Sequence, residues 1–274
     1  VPENPAKSFH EALAAIWVCW KALHLENGNT ALSLGRLDQI LYEIYCNDID
    51  SGRIDVADAM EMLCCFWLKI GDHVPFIPEA MQRLFGGSAS NQAITIGGVD
   101  EYGNDAVNDL TYVMLRSIEL MKLPDPNANA RYYSGVNSKE YIKRLCSVNI
   151  NTGAMPAIHN DKAVIKSLTS KGETIQQARD YGIIGCVEPG SNGRFYGHSG
   201  AILVNLASVL ELTLFNGRHR QVGIDSLISK ETGKSSSFDN FDDFKFAFES
   251  QLKWIAEQST KLNTLLPQKI GVSF

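Results

Sequence analysis

Short apolar segments alternate along this chain with longer helical patterns, and this alternation restricts its fold more than any other feature. Apolar residues recur at helical spacing over residues 8–24, 55–70 and 241–265. Between such helices, residues 91–99 and 181–184 have the composition of buried strands, and both segments lead into or contain glycine. Strands that alternate with long helices are typical of an α/β fold whose parallel strands are buried on both faces. We therefore predict an α/β architecture.

The composition narrows the class of protein and its partners. The chain has 274 residues, of which 45% are hydrophobic, so it can bury a large core. Its formal net charge of −6 argues against nucleic acid or an anionic membrane surface as a partner. No apolar run reaches the roughly 18 residues that a membrane span needs. We expect a soluble, cytoplasmic protein. Because the sequence starts without Met and stops on a strand-like segment, we also expect it to be part of a longer enzyme.

The six cysteines do not form a recognisable framework. They lie mostly inside apolar helical patterns and show no Cys-x-x-Cys spacing, so neither disulfides nor a zinc site is predicted. Cys64 and Cys65 are adjacent on a predicted helix, where neighbouring side chains point about 100° apart. Core residues flank this pair, which favours a packing role.

One loop, residues 181–190, places a thiol and a carboxyl group two positions apart. Gly185 allows the backbone to turn, and Pro189 prevents a regular strand from continuing. In extended backbone, Cys186 and Glu188 would project to the same side. We take these two residues as the candidate catalytic pair. The alternative is a buried structural cysteine beside a surface glutamate.

Two other kinds of site are weaker interpretations of the same region. A nucleophilic cysteine ordinarily has a histidine partner, and His159 and His198 are the nearest candidates for Cys186. Nothing in the sequence fixes either histidine near the thiol. A metal site formed by His159, Asp161 and His198 lacks any recognisable ligand spacing. We predict no metal.

Residues 180–189 resemble the thiyl-cysteine loop of the glycyl radical enzymes, the pyruvate formate-lyase-like superfamily. Further segments carry the same resemblance along most of the chain: 34–39, 96–100, 108–112, 153–157 and 205–207. The resemblance implies part of a large barrel of parallel strands surrounded by helices. It also implies that residues 1–274 are the central part of one catalytic domain, with the radical-glycine domain and the N-terminal portion outside this sequence.

The resemblance assigns roles to the candidate pair. It implies that Cys186 carries a thiyl radical and that Glu188 handles a proton, as in the eliminating branch of the family. The formate-lyase branch has two adjacent cysteines here, whereas Gly185 precedes Cys186 in this chain. We therefore expect a dehydratase or eliminase, a carbon–oxygen or carbon–nitrogen lyase acting on a small polar substrate. Arylacetate decarboxylation, formate acetyltransferase-like chemistry, fumarate addition and an inactive truncated scaffold are the alternatives.

The candidate substrate-binding residues are Asn29, Thr30, His159, Arg194, His198 and His219. Asn29 and Thr30 stand where glycerol dehydratase-like members have a His-Ser pair, which argues against simple glycerol dehydration. Arg194 and His198 could recognise an anionic group. His219 corresponds loosely to a position that arylacetate decarboxylase relatives use.

The resemblance also predicts how the enzyme is activated and where it works. It implies no bound cofactor, and a post-translational glycyl radical on a glycine outside this sequence, installed by a radical SAM activase. The expected partners are a small-molecule substrate, this activase and a second copy in a homodimer. The expected location is the cytoplasm of an anaerobic organism, with a bacterial microcompartment as an alternative.

Overall fold

The computed structural model of the chain describes residues 3–26, 32–72, 92–194, 204–219 and 226–270. The chain divides into two compact units, Val1–Gly197 and His198–Phe274.

The first unit combines helices with a parallel sheet and a hairpin. Its described helices are α1 (Phe9–Glu26), α2 (Leu37–Ile40), α3 (Tyr42–Asp50), α4 (Val56–Gly71), α5 (Asp109–Met121), α6 (Lys139–Thr152), α7 (Asp161–Ser170) and α8 (Ile175–Arg179). Its described strands are β1 (Ala93–Gly97), β2 (Asn127–Tyr132), β3 (Ala157–Asn160), β4 (Tyr181–Ile184) and β5 (Glu188–Ser191).

The sheet consists of β1, β2 and β3 in that order, and all three strands are parallel. In its register, Ile94 lies opposite Ala128, and Ala130 lies opposite Ile158. Helix α5 follows β1 and helix α6 follows β2, so each crossover between parallel strands contains a helix. The predicted alternation of strands and helices is confirmed over this part of the chain.

The two faces of the sheet have different surroundings. On one face, Ile94, Ile96, Ala128 and Ala130 are buried in a core with side chains from α1 and α3–α6. On the other side, Ala93 belongs to a smaller buried cluster together with Tyr181 and Ile183 of β4. The sheet therefore separates a large apolar helical layer from the layer that contains the β4–β5 hairpin.

Polar side chains define several helix starts. Asp55 precedes α4 and accepts a hydrogen bond from the Asp58 backbone N–H, while the Asp58 side chain accepts one from the Asp55 N–H. Such a capping box satisfies backbone donors that the first turn of a helix leaves free. Ser8 and Glu11 have the sequence spacing of such a box at α1, but this box is only half formed. The Ser8 hydroxyl accepts from the Glu11 N–H, but the Glu11 carboxylate accepts from Lys7 rather than from Ser8.

The described elements of the second unit are α9 (Leu206–Leu214), β6 (Arg218–His219), β7 (Ser226–Leu227), a short 3₁₀ helix (Ser235–Ser237) and α10 (Phe241–Ile270). The apolar pattern over 198–214 predicts one helix. Residues 198–203 of this range lie outside the described residues, and α9 begins at Leu206. Asn205, in extended backbone directly before α9, accepts hydrogen bonds from the Ala207 and Ser208 N–H groups. No helix of the described residues is both long and apolar enough to cross a membrane.

A carboxylate on α5 connects this helix to α6. Glu119 is 6% exposed and accepts hydrogen bonds from Arg116 Nη1 (2.8 Å), Arg144 Nη2 (2.6 Å) and Asn151 Nδ2 (2.6 Å). These hydrogen bonds, with the one from Arg144 the largest effect, lower the pKa of Glu119 from its ordinary value of 4.5 to about 2. The folded state therefore favours the ionised form.

We predict that Glu119→Gln lowers the free energy of unfolding at pH 7 by about 1–3 kcal/mol, because two arginines and an amide lose their charged acceptor. The carboxylate contributes fully above pH 4.5, and its contribution falls as the pH drops toward its folded pKa of about 2. The difference between variant and wild type should shrink over that window in urea unfolding. Glu140→Gln, at an exposed position of α6, is the control. A difference that does not change with pH would contradict the charge-based explanation.

Candidate active site

The predicted catalytic pair lies on a β-hairpin. Strands β4 and β5 are antiparallel, Ile184 pairs with Glu188, and residues 185–187 form the turn between them. Gly185 has a φ of 60°, in the left-handed region that glycine adopts without steric cost. The backbone turns between Gly185 and Glu188, so the extended backbone that would project both side chains to the same side is not present here. Cys186 lies exposed at the tip, and Glu188 is half-buried at the start of the returning strand.

The electrostatics of the tip keep the thiol protonated. The Glu188 carboxylate folds back over the turn, where Oε2 accepts a hydrogen bond of 2.9 Å from the Val187 N–H. Partial burial, followed by the nearby charge of Glu188, raises the pKa of the Cys186 thiol. A nucleophilic cysteine needs the opposite shift, toward thiolate. The environment thus favours chemistry of the S–H bond over nucleophilic attack.

Side chains from the sheet and from a preceding segment hold the hairpin at its base. The Ile183 N–H donates to Thr95 Oγ1 of β1 (2.8 Å), and the Ile183 carbonyl accepts from Ser33 Oγ (2.6 Å). The Tyr181 carbonyl accepts from Arg131 Nη1 of β2 (3.1 Å). Strand β4 is therefore attached to the sheet through side chains, because it is not one of the strands in the β1–β2–β3 ladder.

An ion pair with no solvent exposure lies below this attachment. Arg131 Nε and Nη2 donate to Asp161 Oδ1 (3.1 Å) and Oδ2 (3.0 Å), and both side chains are 0% exposed. The Tyr181 hydroxyl donates to Asp161 Oδ1 (2.6 Å), and the Arg131 guanidinium lies 4.0 Å from the centroid of the Tyr181 ring. Burial raises the pKa of Tyr181 far above its usual range. A side chain at Gly98, which has a φ of 77°, would place Cβ 2.7 Å from Asp161 Oδ2.

Segments that are far apart in the sequence meet around the end of β1. Arg36 is buried and donates to the Gly97 carbonyl (3.1 Å), the Val99 carbonyl (2.9 Å) and Asp180 Oδ1 (3.0 Å). Asp38 accepts from the Gly97 N–H (2.7 Å), and burial raises the pKa of its carboxyl group. These hydrogen bonds therefore hold the segments 34–39, 96–100 and 180–189 together around the end of β1.

The structure places the predicted substrate residues in different surroundings. His159 is half-buried on β3, and its Nε2 lies 2.9 Å from Asn129 Oδ1. Since an amide oxygen only accepts, Nε2 carries the proton. Burial is the main cause that lowers the pKa of His159. Arg194 is exposed just after β5, and His219 lies on β6 of the second unit.

The remaining predicted residues, Asn29, Thr30 and His198, lie outside the described residues. Asp161, a candidate metal ligand, is engaged by Arg131 and Tyr181. Within the described ranges, no group of histidine, cysteine and carboxylate side chains is arranged to hold a metal ion.

Sequence reasoning missed the polar face of β2. Asn127, Asn129 and Arg131 alternate with Ala128 and Ala130, and all three polar residues contact the hairpin or its supports. The sequence pattern predicts a strand only from residue 131, because the prolines at 124 and 126 indicate a turn. Strand β2 instead begins directly after the second proline. The alternation of polar residues and alanine over 127–131 is the sequence pattern that would have predicted this strand.

Asn127 contacts the turn that carries Cys186 directly. Its Nδ2 donates to the Gly185 carbonyl (3.0 Å) and also to the Cys186 carbonyl. Two successive peptide groups of the turn are therefore bound to one side chain of the sheet.

Comparison with known proteins gives consistent matches. The family model Pyruvate formate lyase-like matches residues 1–267. The chain is 35% identical to an isethionate sulfite-lyase of Oleidesulfovibrio alaskensis, over 90% of this chain and 30% of that protein. It is 31% identical to a trans-4-hydroxy-L-proline dehydratase of Clostridioides difficile, over 97% of this chain and 34% of that protein.

A solved structure is also similar. The crystal structure of a glycyl radical enzyme from Archaeoglobus fulgidus matches with a TM-score of 0.67 and 34% identity, over 93% of this chain and 33% of that chain. This likeness confirms the predicted architecture, part of a barrel of parallel strands with helices outside. The chain spans about a third of the length of the relatives it matches.

We predict that Asp161→Asn lowers the free energy of unfolding by about 3–5 kcal/mol, because it leaves the buried Arg131 without a counter-charge. Urea unfolding measures the loss. Asp180→Asn is the matched control, since Asp180 also pairs with a buried arginine, Arg36, but its side chain is 54% exposed. That variant should lose at most about 1 kcal/mol. Equal losses in the two variants would contradict a special role for the buried pair.

Proposed function

Because the chain belongs to the pyruvate formate lyase-like family, we propose that the protein is a glycyl radical lyase. In this proposal it eliminates a leaving group from a carbon–oxygen or carbon–nitrogen bond of a small polar substrate. Residues 1–274 are then the central part of one larger catalytic domain. Cys186 carries the thiyl radical, and Glu188 handles the proton of the leaving group.

The observation that carries this proposal is the placement of Cys186 and Glu188 together on one hairpin that the sheet supports. The thiol is at the tip of a hairpin that side chains of the sheet hold from below, and its raised pKa keeps it as S–H near neutral pH. Hydrogen-atom transfer needs an S–H bond at a fixed position. Glu188 lies at the start of the next strand, so its carboxyl group can serve the same substrate.

The residues support a redox-neutral sequence of steps. A glycyl radical elsewhere in the protein, installed by a radical SAM activase, supplies the unpaired electron. Cys186 Sγ gives up its hydrogen atom, and the thiyl radical takes a hydrogen atom from a substrate C–H bond, which forms S–H again. The bond from the adjacent carbon to the leaving group then breaks, while the Glu188 carboxylate takes a proton from the substrate group on the radical carbon and passes it to the leaving group, so that Glu188 ends ionised as it began. Return of the hydrogen atom from Sγ to the product radical restores the thiyl radical.

The leaving group is the open part of the reaction. Elimination of water fits the dehydratase relative, which is named for trans-4-hydroxy-L-proline. Carbon–sulfur cleavage with loss of sulfite is a second candidate, because an isethionate sulfite-lyase matches at 35% identity. The residues proposed to bind the substrate are Asn29, Thr30, His159, Arg194, His198 and His219.

The other reactions have less support. The sulfite-lyase and the hydroxyproline dehydratase match this chain at higher identity than a 4-hydroxyphenylacetate decarboxylase subunit does (26%), so arylacetate decarboxylation, formate acetyltransferase-like chemistry and fumarate addition are not favoured. An inactive scaffold is not favoured either, since Cys186 and Glu188 are both present and placed together on the hairpin.

The proposal extends to assembly and location. We propose a homodimer that acts in the cytoplasm of an anaerobic organism, with a bacterial microcompartment as the alternative location. The proposed partners are the substrate and the activase, and no bound cofactor is included.

We predict that the anaerobic full-length protein, incubated with its activase, gives a glycyl doublet in electron paramagnetic resonance and turns over one of five substrates. The panel is isethionate, trans-4-hydroxy-L-proline, glycerol, choline and 4-hydroxyphenylacetate. Cys186→Ser should keep the doublet and lose turnover below detection, because a serine O–H bond is too strong for reversible hydrogen transfer. Cys146→Ser, at an exposed position of α6, is the control. Turnover by the Cys186→Ser variant would refute the thiyl assignment.

We predict that Glu188→Gln lowers kcat by about 10²–10⁴-fold, the usual contribution of a positioned acid or base. The amide has the shape of the carboxyl group but can neither take up nor give a proton. The glycyl doublet should be unchanged, because Glu188 takes no part in forming the radical. Steady-state kinetics on the accepted substrate measures the effect, with Glu140→Gln as control. If the Glu188→Gln variant keeps wild-type kcat, proton transfer belongs to another group.

A further inference from the structure

The turn that carries Cys186 is connected to the sheet by one amide side chain. Asn127 Nδ2 donates to the Gly185 carbonyl at 3.0 Å and to the Cys186 carbonyl. The Val187 N–H, in contrast, is bound within the hairpin by Glu188. Among the hydrogen bonds of the described residues, those from Asn127 are the ones that join the turn carbonyls to the parallel sheet.

The geometry of this contact fixes the direction of the thiol. An amide nitrogen carries two hydrogens, so one side chain can bind two carbonyl oxygens at once. The two oxygens belong to successive peptide groups, and each peptide group is planar. Holding both planes fixes the backbone on either side of the Cys186 Cα and thus the direction of its Cα–Cβ bond. The sulfur then has rotation about χ1 as its remaining freedom.

Asn127 is itself held in place on the strand. Its N–H donates to the Gln92 carbonyl (2.7 Å), and its carbonyl accepts from Asn129 Nδ2 (3.1 Å). The Asn129 amide is oriented in turn by the protonated Nε2 of His159. The Asn127 side chain that reaches the turn therefore starts from a fixed backbone and has only two torsion angles, χ1 and χ2.

From these contacts we infer that Asn127 is a positioning residue for the Cys186 thiol and acts by binding the carbonyl groups of Gly185 and Cys186. The catalytic consequence rests on the proposed function. Hydrogen-atom transfer requires the sulfur within contact of one C–H bond, and a misplacement of about 1 Å can cost about 100-fold in rate. Loss of the amide should therefore lower the rate of the chemical step without weakening substrate binding.

The test uses the full-length protein with two Asn127 variants and a matched control. Asn127→Ala removes both donors, and Asn127→Asp keeps the shape of the side chain but presents a carboxylate to two carbonyl oxygens. The Asp variant serves if the Ala variant fails to fold. Asn149→Ala is the control, because the Asn149 amide also binds two loop carbonyls, those of Ala154 (2.8 Å) and Pro156 (3.1 Å).

Two measurements are made on each protein. The first is kcat and KM on the accepted compound of the panel, together with the glycyl doublet. The second is the pH profile of Cys186 alkylation by iodoacetamide in the unactivated protein, followed by mass spectrometry of the Cys186 peptide. The second measurement needs neither radical nor substrate.

We expect both Asn127 variants to lower kcat by about 10- to 100-fold, with KM within about threefold of wild type and the doublet unchanged. The alkylation profile of Asn127→Ala should move to lower pH, because a released tip is better hydrated and less fixed beside Glu188. That of Asn127→Asp should move to higher pH, because the variant adds a second carboxylate beside the thiol. Asn149→Ala should leave both readouts at wild-type values. Wild-type readouts in the Asn127 variants, or equal changes in the control, would overturn the inference. If the wild-type protein forms no glycyl radical and turns nothing over, the proposed function fails, and the alkylation profiles still decide whether Asn127 holds the thiol.

Discussion

The candidate site depends on the buried pair of Arg131 and Asp161. Removing two charges from water is costly, and a buried pair is tolerated when its geometry is good and its remaining hydrogen-bonding groups are satisfied. Here the contact is bidentate, and the Tyr181 hydroxyl donates to the same carboxylate. Arg131 also donates to the Tyr181 carbonyl through Nη1 and to the Arg179 carbonyl through Nη2. The groups that offset the desolvation of this pair are therefore the same groups that fix the start of β4. The pair in this way connects β2, α7 and the hairpin.

The two faces of the sheet make different kinds of contact. The face with Ala128 and Ala130 packs against helices, where apolar burial provides stability without directional demands. The opposite face carries Asn127, Asn129 and Arg131, whose hydrogen bonds are directional. A hairpin attached in this way keeps a defined position relative to the sheet. Stability therefore comes mainly from one face, and the placement of Cys186 from the other.

The sequence predicts local features well and long-range contacts poorly. Helical periodicity predicts 8–24 and 55–70, and the structure has helices at Phe9–Glu26 and Val56–Gly71. The glycine and proline residues around Cys186 predict that this segment is a loop. The supports of the loop leave no local pattern, because Asn127, Thr95 and Ser33 bind partners 58, 88 and 150 residues away. The prolines before β2 indicate a turn, so the sequence pattern does not predict the strand that brings Asn127 to the turn.

The charge beside Cys186 bears on which chemistry this residue can perform. A cysteine used as a nucleophile lies near positive charge, which lowers its pKa and supplies thiolate. Cys186 is exposed at the tip, but its sulfur is partly desolvated and has a carboxylate beside it, and both effects raise its pKa. The same two effects are harmless to hydrogen-atom transfer, which moves a hydrogen atom and creates no charge on sulfur. A glutamate next to the cysteine, which would impair a hydrolase, is therefore compatible with a radical lyase that also needs a proton donor at the same substrate.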